Sequence, residues 1–437
     1  MTARRMFLLL VVLGAIGIPA GILNALCVGR SCVDPTPEAS ALPFCPLPEP
    51  LRNLLVNGYR EGRSPDVLGV SGNAPIVTEL GGTMAPWPTA GQEPDLRVPI
   101  VFAGAGVRAG ATVPEGTTLA QVAPTVAEVL GFERPFPDVR SGTAVDGVAS
   151  GDAPRLALMI VWKWTGTADL ERAAGSWPFL TSLLSDGAGT AAGHPGSLPL
   201  DPTATIATIG TGGLPSEHGV TGSFVRNDEG EVVPAFGDGA PVPIIATVAE
   251  DLDEATAQGS EIALVASDEL DRGLIGGGWY GEHDEDTVTV TSDAVSAVRS
   301  VLAGRGDAAG PDVLGVVLDG PPARLDRQTE RIVSAARRAY GGSVLVVVAG
   351  TGTREADPAA AVDSVLVDAV EAAVPGSHPA VAAVVPGGLF LDRDALISAG
   401  VTGQVAAQAL LDVTSPDGRG MMADAFQGFA VSFARYC

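Results

Sequence analysis

Residues 196–222 read GSLPLDPTATIATIGTGGLPSEHGVTG, crowding Thr203, Thr205, Thr208 and Thr211 into one short stretch entered through Asp201 and Pro202. The stretch is built like a reactive loop feeding a helix. A threonine hydroxyl is a weak nucleophile at neutral pH and needs a base or a metal ion beside it. No Ser/His/Asp arrangement is evident from the spacing, and a hydroxyl-rich strand-to-helix turn often serves only as local capping. Whether Thr203 or Thr205 is a nucleophile therefore depends on what the rest of the chain brings to it.

Working outward, strand signals alternate with helix signals. RVPIVFAGAGV, RLALMIVWKW, IALVAS, TVTV, PDVLGVVLDG and GSVLVVVAGTG read as strands. TTLAQVAPTVAEVLGF, WPFLTSLLSDG, DAVSAVRSVLAG and LDRQTERIVSAARRAYGG have the apolar spacing of helices, the first stopped by Gly131. Continuous Val/Leu/Ile strands between amphipathic helices predict an α/β fold of three layers, a mostly parallel sheet with helices on both faces. Ligands in such sheets bind beyond the carboxyl ends of the strands, so the residues just after each strand are the ones to interrogate.

The chain has 437 residues, 26 Lys+Arg against 51 Asp+Glu, and a net charge of −25. A phosphate backbone needs a concentrated positive surface, so no nucleic-acid partner is expected. Arg4 and Arg5 precede an uncharged apolar run from Met6 to about Leu26, long enough to cross ~30 Å of hydrocarbon as a helix. Residues 1–28 are therefore expected to be a signal anchor, or alternatively a signal peptide. The rest would lie outside the cytoplasm on a single-pass membrane protein, or be secreted. Residues 29–49 read as a linker containing Pro and Cys, and 50–437 as the folded domain. Cys27, Cys32, Cys45 and Cys437 sit at the two ends, and a Cys45–Cys437 staple is one expected pairing in an exported chain.

Three segments resemble the alkaline phosphatase superfamily, in particular its type I phosphodiesterase/nucleotide pyrophosphatase-like branch and the exported bacterial alkaline phosphatases. SLPLDPTATIATIGTGGLPSEHGVTG looks like that family's nucleophile loop, with GTGGLPSEHG its most specific part. RVPIVFAGAGVRAGATVPEGTTLAQVAPTVAEVLGFERPFPDVRSGTAV looks like its closing segment, and GYREGRSPDVLGV like the piece before that. What closes the family domain stands first here, at 50–145, and what opens it follows, at 150–360. Such an order implies a circularly permuted alkaline-phosphatase-like core, with a truncated domain fused to another as the alternative.

The resemblance implies phosphoryl or sulfuryl transfer with two metal ions and a Thr or Ser nucleophile. The ligand positions are nearly all altered. In MIVWKWTG, Lys163 falls where the first aspartate ligand is expected; in VVVAGTGTRE, Gly350, Thr351 and Gly352 replace Asp-His-Gly. Ala85 in GGTMAPWP stands where a histidine would be, and Asp319 in VVLDGPPARLD is followed four residues on by Ala323 rather than histidine. Pro202 occupies the best-aligned nucleophile position, with Thr203 one residue displaced.

The histidines are His194, His218, His283 and His378. His218 reads as a turn residue or a contributor to the binding cleft, and His283 as part of an acidic turn. Arg63 and Asp66 are expected to form a structural ion pair. The reading is a catalytically degenerate, membrane-anchored or exported protein that binds or scaffolds at the cell envelope. Lys163, Asp201, His218 and Asp319 would line a cleft for an anionic or phosphorylated small ligand, and no metal or other cofactor is expected. The competing reading is an active phosphodiesterase or phosphatase with Thr203 or Thr205 as nucleophile and divalent Zn or Mn on altered ligands. A third is a structural envelope component whose cleft is filled by Trp162, Trp164 or Trp87.

Overall fold

The computed structural model describes residues 43–72, 75–80, 83–90, 96–280, 286–303, 305, 310–353 and 361–437. The expected signal anchor, Cys27, Cys32, linker residues 29–42 and the turn around His283 lie outside the described residues. Among the described residues no helix is long and apolar enough to cross a membrane.

Seven strands form the main sheet, in the order Thr287–Val290, Ile262–Ala266, Asp312–Asp319, Leu156–Lys163, Val344–Gly350, Val98–Gly104 and Ala188–Gly193. The first five run parallel, and Val98–Gly104 is antiparallel to both of its neighbours. The central strand Leu156–Lys163 alternates strictly. Ala157, Met159 and Val161 enter one core with the helices Val122–Leu130 and Val248–Ala255. Leu156, Leu158, Ile160 and Trp162 enter the other, with the helices Pro178–Asp186, Ala294–Ala303 and Pro322–Ala339. Burial on both faces is why this strand reads as an unbroken apolar run. The α/β fold, a mostly parallel sheet covered on both faces, is thus as expected.

A second, antiparallel sheet was not foreseen. Val381–Val385, Gly388–Leu391, Val67–Ser71 and Met422–Gln427 pair in that order and pack on the helices Ser364–Ala373 and Gly403–Leu411. Val67–Ser71 therefore belongs to this sheet and not to the large one. Cys45 and Cys437 are joined by a disulfide, the staple suggested by their positions at the two ends. The expected Arg63–Asp66 pair is not formed. Asp66 instead accepts from Arg226 and from Leu391 N at 2.9 Å, tying the second sheet to the hairpin strand Phe224–Arg226, while Arg63 donates to Val242 O at 3.2 Å.

Candidate functional site at the strand ends

The parallel register sets Lys163 beside Asp319 and Trp162 beside Gly350, so the ends of the three central strands stand level. Asp201 caps the helix Pro202–Thr211, accepting from Thr203 N at 2.9 Å, and Pro202 occupies its first turn. Gly212, at φ 76°, closes that helix in the left-handed conformation that glycine adopts without strain. The threonines therefore lie inside the helix rather than on the loop before it, which corrects the expected placement.

Each hydroxyl is already engaged. Thr205 Oγ1 donates to Asp201 O at 2.9 Å, and Thr211 Oγ1 to Ala207 O at 2.6 Å. Thr203 Oγ1 lies 3.2 Å from Ser223 Oγ. Ser223 in turn donates to the Asp201 carboxylate through its backbone N–H at 2.8 Å and through its hydroxyl. Asp201 is completely buried, and desolvation raises its pKa despite the donors from Ser223 and Thr203. All four threonines are buried, and no imidazole faces Thr203 or Thr205 among the described contacts.

His218 serves the same helix from its far end. The backbone N–H of Val220 donates to Nδ1 at 3.1 Å, which leaves the ring proton on Nε2, 3.1 Å from Thr208 Oγ1. Burial pulls its pKa down to about 3, with a smaller push from Arg63, so the ring is neutral at any ordinary pH. It is a tie between the helix and the following turn.

The unforeseen partner is Asp271. Lys163 Nζ donates to Asp271 Oδ1 at 2.8 Å, with the lysine side chain 12% exposed and the carboxylate fully buried. Asp271 Oδ2 accepts from Ser267 N at 3.0 Å, Ser267 Oγ at 2.7 Å and Asp268 N at 2.9 Å. The short 3-10 helix Glu269–Leu274 that carries it presses on the helix Pro202–Thr211. A Cβ at Gly210 would stand 2.3 Å from Gly273 O, so only glycine permits this approach.

Sequence reasoning missed Asp271 because its contact with Lys163 is not local. The Asp268-x-x-Asp271 spacing, with Asp268 accepting from Leu270 N at 2.9 Å, was the available signal.

Asp319, half-buried, lines an open polar cavity of about 450 Å³ with Ser267, Thr291, Ser292, Arg324 and Gln328. Arg324 also donates to Asp319 O. The tryptophans do not fill this space: Trp162 Nε1 bonds Thr329 Oγ1 within the helix-side core, and Trp87 Nε1 bonds Thr78 Oγ1 by the second sheet. Trp164 is buried at the strand end, its backbone N–H donating to Thr351 Oγ1 at 2.8 Å. His194 accepts from Gly196 N at 3.0 Å, and His378 is an exposed loop residue.

The donor set does not fit a two-metal centre. The positions that the resemblance assigns to ligands hold an ammonium already bonded to a carboxylate, Gly350, Thr351, Gly352, Ala85 and Ala323, with Asp319 the sole carboxylate. Among the described residues, no three His, Cys, Asp or Glu side chains converge as a ligand group.

No protein-family profile matches the chain, and no curated protein matches it. Among solved structures it is similar to a crystal structure of wild-type alkaline phosphatase PafA. The TM-score is 0.40 at 12% identity, over 63% of this chain and 84% of that one. A likeness of that degree decides neither substrate nor mechanism, and the fold stands on the sheet described above.

Proposed function

We propose that this chain is a catalytically degenerate, alkaline-phosphatase-like protein that binds rather than hydrolyses, held at the cell envelope by its N-terminal apolar segment. The observation that carries this reading is the Lys163–Asp271 ion pair at the end of the central strand. An ammonium repels a divalent cation, and its bond to Asp271 removes the nearest buried carboxylate from metal binding as well. Asp201 and His218 are committed to holding the helix Pro202–Thr211. The proposed circular permutation is supported by the strand Val98–Gly104, which pairs with Val344–Gly350 on one side and Ala188–Gly193 on the other.

Lys163 is not an open seat for an anion, because its ammonium is taken. Binding is proposed instead for the adjoining polar cavity, where a small phosphate or sulfate ester would meet Arg324 and the hydroxyls of Ser267, Thr291 and Ser292. The experiment is metal analysis of the purified protein after exposure to zinc, manganese, magnesium and calcium, run beside turnover of bis(4-nitrophenyl) phosphate. The expected result is neither stoichiometric metal nor turnover. Stoichiometric metal with turnover would show a working hydrolase and overturn the reading.

A further inference from the structure

Away from the strand ends, the loop Pro135–Arg140 meets Trp279 and Tyr280 across a second cavity of about 450 Å³. Its walls are Phe136, Val139, Ile245 and Trp279. Phe136 is 75% exposed, Val139 50% and Trp279 41%. Beneath the cavity lies an ion-paired cluster. Arg134 Nε and Arg140 Nη2 share one carboxylate oxygen, Asp251 Oδ2, at 2.7 and 3.1 Å, while Tyr280 OH donates to the other at 2.9 Å. Burial lowers Arg134 to about 10 and lowers Arg140 as well, so Arg134 remains charged at neutral pH.

Arg60 adds a further guanidinium at the rim, donating to Ser216 O at 2.9 Å. The remaining acid of the lining, Glu217, is occupied by Ser141 and by Leu214 N at 2.7 Å. The lining thus holds two arginines and two carboxylates, a balanced set in a molecule whose net charge is −25.

Two features are left unbalanced. Arg140, with a side chain only 5% exposed, buries an Nε that meets no acceptor among the described residues. A buried donor without a partner is costly and calls for an explanation. Phe136 sits at φ 51°, ψ 58°, a left-handed conformation costing a bulky residue ~1–3 kcal/mol. It is held there by Arg140 Nη1, which donates to Pro135 O at 2.7 Å and to Phe136 O at 3.1 Å. The strain does not serve packing, because the ring it positions points into water.

The geometry points to a binding site for a small amphiphilic anion, an aryl or branched-alkyl carboxylate. Its apolar body would lie between Phe136, Val139 and Trp279, and its charge would meet Arg140 and Arg60. An aromatic body suits both the indole and the guanidinium planes, and the volume accommodates one or two rings. Arg60, exposed at the rim and bonded there to a backbone carbonyl, gives an anion a guanidinium to meet on an otherwise acidic surface. The site shares no residue with the strand-end cavity and stands whether or not the binding role proposed there is right.

The test is calorimetric titration of the full-length protein with 2-naphthoate, with uncharged 2-naphthamide and inorganic phosphate in parallel, and with the variants R60Q and W279S. Both variants alter exposed side chains, and circular dichroism checks that each is folded. Expected are one saturable naphthoate site, at least tenfold weaker binding of naphthamide, and at least tenfold weaker naphthoate binding by each variant. Absence of saturable naphthoate binding would overturn the assignment, as would binding indifferent to both variants. Equal affinity for naphthamide would overturn it too, by showing that the groove is an apolar docking surface without a charge requirement.

Discussion

The strand ends and the Phe136–Trp279 groove differ in how completely their polar groups are used. At the strand ends, where the topology of the sheet favours a ligand, Lys163, Asp271, Asp201, Ser223 and His218 are all bonded to one another or to backbone. In the groove, a buried guanidinium N–H lacks an acceptor among the described residues, a phenylalanine is held in a strained conformation, and large apolar side chains face water. Around Lys163 the polar network is closed, although Trp164 beside it stands at φ 56° and Gln328 Oε1 in the adjoining cavity meets no donor among the described residues. The groove, by contrast, combines its strain and unmet donor with apolar side chains open to water. Strain and unsatisfied groups that persist in a folded protein point to function beside what position in the topology suggests.

The sharpest way to break this contrast is to remove one half of the strand-end pair. Lys163→Met should lower unfolding stability by about 3 kcal/mol, because Asp271 is left as a buried carboxylate with only the Ser267 and Asp268 donors. Adding Asp271→Asn should return most of the loss, a coupling of about 2 kcal/mol in a urea-denaturation cycle. A neutral Lys163→Met would show that the lysine is not committed to structure and would reopen the strand ends as a site.

A comparable effect is expected from pH. Folded His218 titrates near 3, whereas an unfolded histidine titrates near 6.5. Between those values the unfolded chain binds a proton that the folded chain does not, so the stability this residue contributes is lost as pH falls through that window. Relative to His218→Asn, whose side-chain oxygen can still accept from Val220 N, the natural protein should lose about 3 kcal/mol between pH 6.5 and pH 4. Asp201, with its carboxyl raised by burial, acts in the opposite sense and is common to both proteins. Parallel acid limbs for the two would show that His218 is solvated, contrary to its buried place under Thr208.

The degree to which these regions were legible in the sequence follows from how local their contacts are. The central strands were readable because burial on both faces demands unbroken runs such as Leu156–Val161. The seventh, Ala188–Gly193, was not, since as an edge strand pairing only with Val98–Gly104 it carries small residues. The second sheet escaped because its strands are short and come from opposite ends of the chain. Lys163 and Asp319 were read at the ends of strands, and the structure adds that those strands are neighbours in register. Asp271, Ser223 and the Arg134–Asp251–Arg140 cluster were not found, since each meets its partners across long stretches of chain that no period records.

The smallest expected effect sharpens the comparison most, because its sign differs from the others. Phe136→Gly removes a side chain that is mostly in water and places at φ 51° the residue that tolerates that conformation. If the strain serves a ligand, the variant should gain about 1 kcal/mol of stability while binding 2-naphthoate less tightly, a trade of stability against function. Denaturant midpoints and calorimetry on the same preparation read both quantities. If stability falls instead, the ring is holding the loop in place, and Phe136 belongs with the satisfied contacts of the strand ends.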